Sequence, residues 1–207
     1  MSHPWKHLRL ITSHRHLVIK NALHMGIFWH ALKHDLSKYS YTEFHTSAKY
    51  YVGNHSPVFE ERIHNDYFSR ICQHHTRRNP HHWEYWTDFF CGRILMKTMP
   101  WIYATEYVCD VLSASYTYNP KEFTSESGLR YFNAHKDRYF MTKATKEYIT
   151  WCLEKYAKTG WKELKKKNTQ KKYQEIISSY PDVELFETSK ASSSLPPLLS
   201  KTSDIKY

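Results

Sequence analysis

Apolar side chains recur every three or four residues over much of the chain, which is the period of an α-helix. The first such stretch predicts a helix that Thr12 or Ser13 caps and that runs to about Lys33. A cleaner stripe predicts a helix over residues 101–116, and two or three further helices cover residues 129–179. The stripe of the 101–116 segment consists of Ile102, Ala104, Tyr107, Val108, Val111 and Leu112.

Capping and breaking residues divide the stretch between those helices. Ser40 followed by Glu43 matches a capping box, so a helix is predicted from there to about Val52, before a Gly-Asn pair. A Ser-Pro pair begins the next helical segment, over about residues 56–74. Asn79-Pro80 offers an N-cap and a first-turn proline, and therefore predicts another helix that contains the aromatic residues following it.

These elements predict an all-α protein with one domain. Residues 12–180 form the helical domain, residues 1–11 an N-terminal arm, and residues 181–207 a flexible tail rich in Ser, Pro and Lys. Only 5 glycines are present, which disfavours an all-β fold and a Gly-rich phosphate loop. The sequence has no apolar run that could span a bilayer and no secretion signal, so we expect no membrane association and a cytoplasmic location.

Charge and cysteine content add little to this picture. The net charge of +10, with histidine neutral, raises nucleic acid or another polyanion as a partner, but the lysines concentrate in residues 155–172, where a solvated helix face explains them. The 4 cysteines lie too far apart for a Cys-x-x-Cys pair, so reduced and mostly buried thiols are expected. These cysteines are Cys72, Cys91, Cys109 and Cys152.

Histidine is the unusual component, because the chain has 15 of them, about three times the number that average composition would give. The central motif is His34-Asp35-Leu36-Ser37-Lys38. An imidazole and a carboxylate near the end of a helix can converge on one metal ion, and this pair of donors suits Fe, Mn, Co, Ni or Zn. By itself the His-Asp dipeptide is a weak signal, since an isolated instance is usually a solvated pair.

Three other features strengthen a metal-binding interpretation. The helix before the motif carries four histidines within reach of the same site: His14, His16, His24 and His30. Residues 73–82 contain four more histidines and two arginines, at a predicted helix start that would also favour a bound phosphate. Glu106 and Asp110 share one face of a predicted helix, where two carboxylates are costly unless they are paired, hydrated or bound to metal.

The order of these motifs resembles the HD-domain superfamily of metal-dependent phosphohydrolases. Residues 34–38 are similar to the superfamily's His-Asp-hydrophobic-Gly-Lys motif, with Ser37 in place of the usual glycine. Residues 12–118 resemble more closely a family of small uncharacterised HD-like proteins, some of which are labelled catalases, although no haem-binding pattern is identifiable in this chain. The resemblance implies a single HD-type helical domain.

The resemblance also implies roles for individual residues, with Asp35 shared between two metal ions. The implied ligands of the first metal are His14, with His16 as an alternative, His34, Asp35 and Asp110. The implied ligands of the second metal are His74 or His75, His81 or His82, and Asp35. The candidates for holding phosphate oxygens are Lys38, Arg78 and Asn79. The candidates for catalysis are Asp35 and His75, which would handle the proton, and Glu106, which would orient a ligand.

Three functions are compatible with these residues. The favoured one is hydrolysis of a small phosphate ester, such as a nucleotide, with one or two divalent transition metal ions (Fe, Mn, Zn, Co or Ni). The first alternative is an HD-type dinuclear iron oxygenase, since a few HD-type proteins oxidise their substrate with O₂. The second is a non-catalytic module, stabilised by metal, that binds nucleic acid or another polyanion through the basic C-terminal region.

Overall fold

The computed structural model describes residues 3–53 and 55–187. The α-helices in these residues are α1 (Pro4–Met25), α2 (Phe28–Ala31), α3 (Tyr41–Lys49), α4 (Pro57–His64), α5 (Arg70–Thr76), α6 (Trp101–Tyr118), α7 (Ser127–His135), α8 (Lys143–Thr159) and α9 (Lys166–Ile177). The β-strands are β1 (Thr87–Phe90), β2 (Arg93–Lys97) and β3 (Val183–Glu187). Short 3-10 helices span Leu36–Tyr39, Trp83–Trp86 and Lys136–Arg138. The protein is predominantly helical, as predicted, with a small sheet that the all-α prediction omitted.

α6 lies at the centre of the core. Its sequence is apolar on most sides, as expected of a helix buried on several faces, and it packs against α1, α7 and α8. Val108 is fully buried and Leu112 nearly so. At Gly128 of α7 an added Cβ would lie 2.8 Å from a methyl group of Leu112, so the absence of a side chain allows α7 to approach α6 closely. α6 is thereby fixed against its neighbours along most of its length.

α1 is longer at its beginning and shorter at its end than the sequence predicts. The predicted start at Thr12 or Ser13 is wrong, and residues 4–11 are helical rather than a separate arm, because His7 and Ile11 continue the buried face of the helix. α1 ends at Met25 because Gly26 adopts a left-handed φ of 74°. The short α2 and a turn over residues 32–35 then lead the chain back along α1.

The segment between α2 and the sheet consists of short, well-capped helices. Ser40 caps α3 as predicted, since its hydroxyl accepts a hydrogen bond from the Glu43 amide. The single helix predicted over residues 56–74 is instead α4 and α5, which are separated by a turn with two positive φ angles at non-glycine residues. The buried Glu61 of α4 accepts hydrogen bonds from the Ser69 hydroxyl and from a backbone amide of α5, and so stabilises the beginning of α5.

The sheet replaces two predicted features. Asn79-Pro80 does not begin an α-helix; a turn and a 3-10 helix lead into the antiparallel hairpin β1–β2 instead. Cys91 and Gly92 have φ angles of 49° and 73°, the positive values that a tight two-residue hairpin turn requires. β3 pairs with β2, so the first part of the predicted tail over residues 181–207 is a strand, while residues 188–207 lie outside the described residues. No described helix is both long and apolar enough to cross a membrane.

Candidate metal centre

Side chains with metal-ligating atoms converge from distant parts of the sequence on one face of α6. In the described residues they form three groups, and within each group the donor atoms lie within 4.8 Å of one another. The first group is His14, His34 and Asp110; the second is Asp35, His75, His81 and His82; the third is His34, His81 and Glu106. Because the third group shares residues with the other two, the three are parts of one cluster, which could hold metal ions.

Asp35 lies at the centre of the cluster, in the turn that follows α2. It is 2% exposed, and its φ of 53° lies in the left-handed region, which costs a non-glycine residue about 1 kcal/mol. The Arg15 guanidinium donates hydrogen bonds to the carbonyl groups of Leu32 and His34 and so holds this turn in place. His34 and Asp35 therefore lie on a supported turn rather than on the predicted helix.

The first group brings two imidazoles to Asp110. His14 Nε2 lies 2.9 Å from Asp110 Oδ1, and His34 Nε2 lies 3.9 Å from the same oxygen. His34 Nε2 also lies 3.3 Å from Asp35 Oδ2, which bounds the group on its other side. Of the two candidates for the first ligand, the structure brings His14 into the cluster and leaves His16 exposed on the opposite face of α1.

The second group surrounds the other oxygen of the same carboxylate. Asp35 Oδ1 lies 3.2 Å from His75 Nε2 and 3.5 Å from His81 Nε2. His82 Nε2 lies 2.9 Å from His75 Nε2. The Asp35 carboxylate therefore stands between the two groups, with one oxygen directed towards each.

Glu106 accepts hydrogen bonds from histidines of the cluster. Its oxygens lie 2.8 Å from His34 Nδ1 and 2.7 Å from His30 Nε2, and 3.4 Å from His81 Nδ1. A hydrogen bond from Nδ1 fixes the ring orientation of a histidine and leaves Nε2 free to ligate. Burial opposes ionisation of Glu106, but the hydrogen bonds from His30 and His34 outweigh it and lower the pKa of the carboxyl to about 2. Glu106 thus orients His34.

The inward atoms of the cluster fit a bound cation. Among the described residues, no group makes a hydrogen bond of normal geometry with Asp35 Oδ1 or with the Nε2 atoms of His14, His34 and His81, all of which are buried, whereas Asp35 Oδ2 pairs with the Lys38 ammonium. Each such atom costs on the order of 1–3 kcal/mol if nothing satisfies it. The 2.9 Å between His75 Nε2 and His82 Nε2 also matches the separation of about 3 Å between neighbouring ligands at 90° on a metal with bonds of about 2.1 Å. Imidazole and carboxylate donors in this mixture suit Fe, Mn, Co, Ni or Zn.

The charges within the cluster favour the ligating forms of most of its members. Burial opposes ionisation of Asp35, but His34 and Lys38 outweigh it and hold the pKa of its carboxyl well below the usual range. Burial, reinforced by His34, lowers the pKa of His81 to about 4, so this ring is neutral at pH 7. Burial also opposes protonation of His75, but the Asp35 carboxylate outweighs it and raises the pKa of that ring to about 9.

Only one of the three candidates for phosphate binding faces the cluster. Lys38 Nζ forms an ion pair with Asp35 Oδ2 at 2.6 Å, and the lysine side chain is 32% exposed, so it lies at the rim of the site. Arg78 is exposed and donates to the His74 carbonyl, outside the cluster. Asn79 donates to the Ser37 hydroxyl and to the His75 carbonyl, both at 2.8 Å. Its amide group therefore stabilises the residues around the cluster and is not directed towards the rim, where a phosphate would bind.

Four residues have positions that the sequence did not specify. His74 Nδ1 lies 2.6 Å from a carboxylate oxygen of Glu43, and His74 belongs to none of the three groups. Glu43 also contacts His75 Nδ1 at 2.9 Å, a role hidden by its place in the predicted capping box. His30 reaches the cluster through Glu106, whereas His24 stacks on Trp161 away from it. The spacing of four residues between His30 and His34 could have found His30, but no local pattern marks Glu43.

The chain belongs to the DUF5662 family, described as a family of unknown function, whose sequence model matches residues 3–179. No curated protein and no solved structure matches the chain.

Proposed function

We propose that this protein is a metal-dependent phosphohydrolase of the HD type that acts on a small phosphate ester, such as a nucleotide. One observation supports this most: the buried Asp35 carboxylate directs one oxygen towards His34 and the other towards His75 and His81. A carboxylate in that position can bridge two metal ions, and paired ions are typical of enzymes that hydrolyse phosphate esters. The resemblance of residues 34–38 to the HD motif agrees with this proposal.

Bound metal ions would polarise a phosphoryl oxygen and lower the pKa of a water molecule. Lys38, at the rim, would break its ion pair with Asp35 and bind a second phosphoryl oxygen. Its ammonium group would offset the negative charge that develops on the phosphoryl group. Asp110, whose side chain is 17% exposed and is the most accessible carboxylate of the cluster, would hold the first metal ion at the open side of the site. His34 and Asp35, which are at most 2% exposed, keep bulk water from the reacting group.

The accessible part of the site points to an anionic substrate of modest size. Most members of the cluster are buried, whereas Lys38, Asp110 and His82 are partly exposed, so a substrate would reach the site past these side chains. Lys38 is the cation there, since Arg78 faces away. A phosphoryl group is small enough to enter and carries the charge that a lysine ammonium attracts.

The second group of donors also favours a dinuclear iron oxygenase as a second candidate. Three histidine nitrogens and one carboxylate oxygen form this group, and imidazole ligands suit iron as well as zinc or nickel. In this alternative the protein would consume O₂ when loaded with iron, and phosphate esters would not be hydrolysed.

Metal content and hydrolysis together test the proposal. We expect the purified protein, or protein reconstituted with Mn²⁺, Zn²⁺, Co²⁺, Ni²⁺ or Fe²⁺, to hold close to two metal ions by plasma mass spectrometry. The Asp35→Asn variant should hold fewer and release no phosphate from a panel of phosphate monoesters and diesters. Wild-type protein that binds no metal after reconstitution would contradict the proposal. Two bound irons with O₂ consumption and no phosphate release would favour the oxygenase.

A further inference from the structure

Glu43 of α3 is a buried carboxylate outside the three donor groups. It is 1% exposed, and its two oxygens lie 2.6 Å from His74 Nδ1 and 2.9 Å from His75 Nδ1. In a complete capping box the Glu side chain returns to the backbone amide of the cap residue. Here only the Ser40 half of the box is present, with 3.4 Å between its hydroxyl and the Glu43 amide. The carboxylate instead faces the two histidines.

In the neutral ring that a metal ion requires, this contact keeps the proton of His75 on Nδ1 and leaves the lone pair on Nε2, which faces the cluster. An ionised carboxylate only accepts hydrogen bonds, so His74 and His75 both donate to Glu43 from Nδ1. The Asn79 amide nitrogen lies 3.1 Å from His75 Nδ1, but its two hydrogens have acceptors in the Ser37 hydroxyl and the His75 carbonyl, both at 2.8 Å. With its proton on Nδ1, His75 can ligate through Nε2, which lies 3.2 Å from Asp35 Oδ1.

Glu106 has the same relation to the first group. It accepts from His34 Nδ1 at 2.8 Å and from a second histidine, His30, at 2.7 Å. Each half of the cluster therefore has a buried carboxylate that contacts one inner histidine and one outer histidine, although Glu106 also lies 3.4 Å from Nδ1 of His81 in the second group. The two carboxylates come from different helices, α3 and α6, so one can be removed without the other.

We propose that Glu43 is the positioning residue of the second metal site, and that it holds His75 in the orientation and tautomer needed to ligate. This inference rests on the proposed function, in that it requires two metal ions. Without the Glu43 carboxylate the second ion should be lost while the first, held by His14, His34 and Asp110, remains. Partners of metal-ligating histidines contribute about 10- to 100-fold to metal affinity.

The Glu43→Gln variant tests this inference. The glutamine oxygen can accept from one histidine only, and its NH₂ group faces the other, which must then accept at Nδ1 and carry its proton on Nε2. We expect the affinity for the second metal ion to fall about 10- to 100-fold, so that dialysed protein holds one ion instead of two. In Mn²⁺-loaded protein, electron paramagnetic resonance should change from the signal of a coupled pair to that of an isolated ion.

Two control variants separate positioning from a general loss of stability. Glu61→Gln alters a carboxylate that is equally buried, at 1% exposure, but contacts Ser69 and α5 rather than a histidine. It should lower the melting temperature and keep two metal ions. His74→Ala removes only the outer histidine and should also keep two ions.

The outcomes separate this inference from the proposed function. Wild-type protein that binds no metal contradicts the proposed function itself. Wild-type protein with two ions and Glu43→Gln protein with two ions of unchanged affinity would overturn the role of Glu43 alone. Wild-type protein with a single ion would also overturn it, because no second site would exist. Loss of both ions from Glu43→Gln, with a melting temperature as low as that of Glu61→Gln, would also overturn it, because Glu43 would then stabilise the fold rather than position His75.

Discussion

The helical core around α6 and the donor cluster around Asp35 are both buried, but they treat polar groups differently. In the core, the Thr105 hydroxyl lies 2.7 Å from the Tyr148 hydroxyl, and Thr142 and Thr145 are similarly joined at 2.9 Å. In the cluster, Asp35 Oδ1 and the Nε2 atoms of His14, His34 and His81 have no hydrogen bond of normal geometry with any described residue. These core hydroxyl groups therefore have partners within the fold, whereas a bound cation could satisfy the inward atoms of the cluster.

Removal of metal should have the largest effect on stability, and this effect should depend on an intact donor cluster. An ion present at about 1,000 times its dissociation constant stabilises a protein by about 4 kcal/mol. We therefore expect a chelator to lower the melting temperature of wild-type protein markedly in differential scanning calorimetry. The Asp35→Asn variant, which holds less metal, should respond less. Equal responses of the two proteins would mean that the chelator acts elsewhere.

A cavity in the core should destabilise the protein without affecting metal binding. Leu112→Ala removes a side chain that is 2% exposed and packs against Gly128. We expect the free energy of unfolding to fall by about 3 kcal/mol in urea titrations. The metal content of the folded variant should equal that of wild type. A variant that loses metal as well would show that the core and the cluster are coupled.

His7 extends the comparison to pH. It is 3% exposed, contacts the rings of Phe44 and Tyr51, and burial together with Lys38 lowers its pKa from 6.5 to about 4. Between pH 6.5 and 4 the unfolded chain binds a proton that the folded protein does not, so stability falls as the pH falls. At pH 5 this residue should cost about 1–2 kcal/mol.

The His7→Phe variant isolates this contribution. The histidines of the cluster titrate in both proteins, so the difference between their unfolding free energies reports on His7. We expect that difference to change by about 1–2 kcal/mol in favour of the variant between pH 8 and pH 5. Parallel pH profiles would show that His7 has a partner that keeps its pKa near 6.5.

A small effect is predicted for a single hydrogen bond in the core. Tyr148→Phe leaves the buried Thr105 hydroxyl without its 2.7 Å partner, which should cost about 1 kcal/mol in the free energy of unfolding at pH 8. His7→Phe at the same pH should cost less, because neither ring nitrogen of His7 has a hydrogen-bond partner among the described residues. The reverse order would contradict the contrast between satisfied and unsatisfied polar groups.

The sequence predicts well those parts of the fold whose determining residues lie within the element itself. The apolar stripe of α6 and the cap at Ser40 are of this kind, and both are confirmed. The start of α1 was missed because the buried His7 interrupts the apolar stripe. The β1–β2 hairpin was missed because Asn79-Pro80 has the composition of a helix start. The third strand was missed because β3 pairs with β2, which lies far from it in the chain.

The candidate site shows the same division between local and distant causes. The His34-Asp35 pair and the histidines of residues 73–82 are visible as local patterns, and the structure brings most of them together. The direction of Arg78, away from the cluster, depends on how α5 ends, and the contact of Glu43 with His75 depends on how α3 packs against α5. Such contacts follow from tertiary packing, which no local spacing specifies.

Diffraction from crystals loaded with Mn²⁺ or Zn²⁺, recorded at the absorption edge of the metal, tests the central claim most directly. We predict two anomalous peaks, one on each side of the Asp35 carboxylate. The first should be bounded by His14, His34 and Asp110, and the second by His75, His81 and His82. A single peak away from Asp35, or no peak in crystals soaked at millimolar metal, would contradict the assignment of this cluster as a two-metal centre.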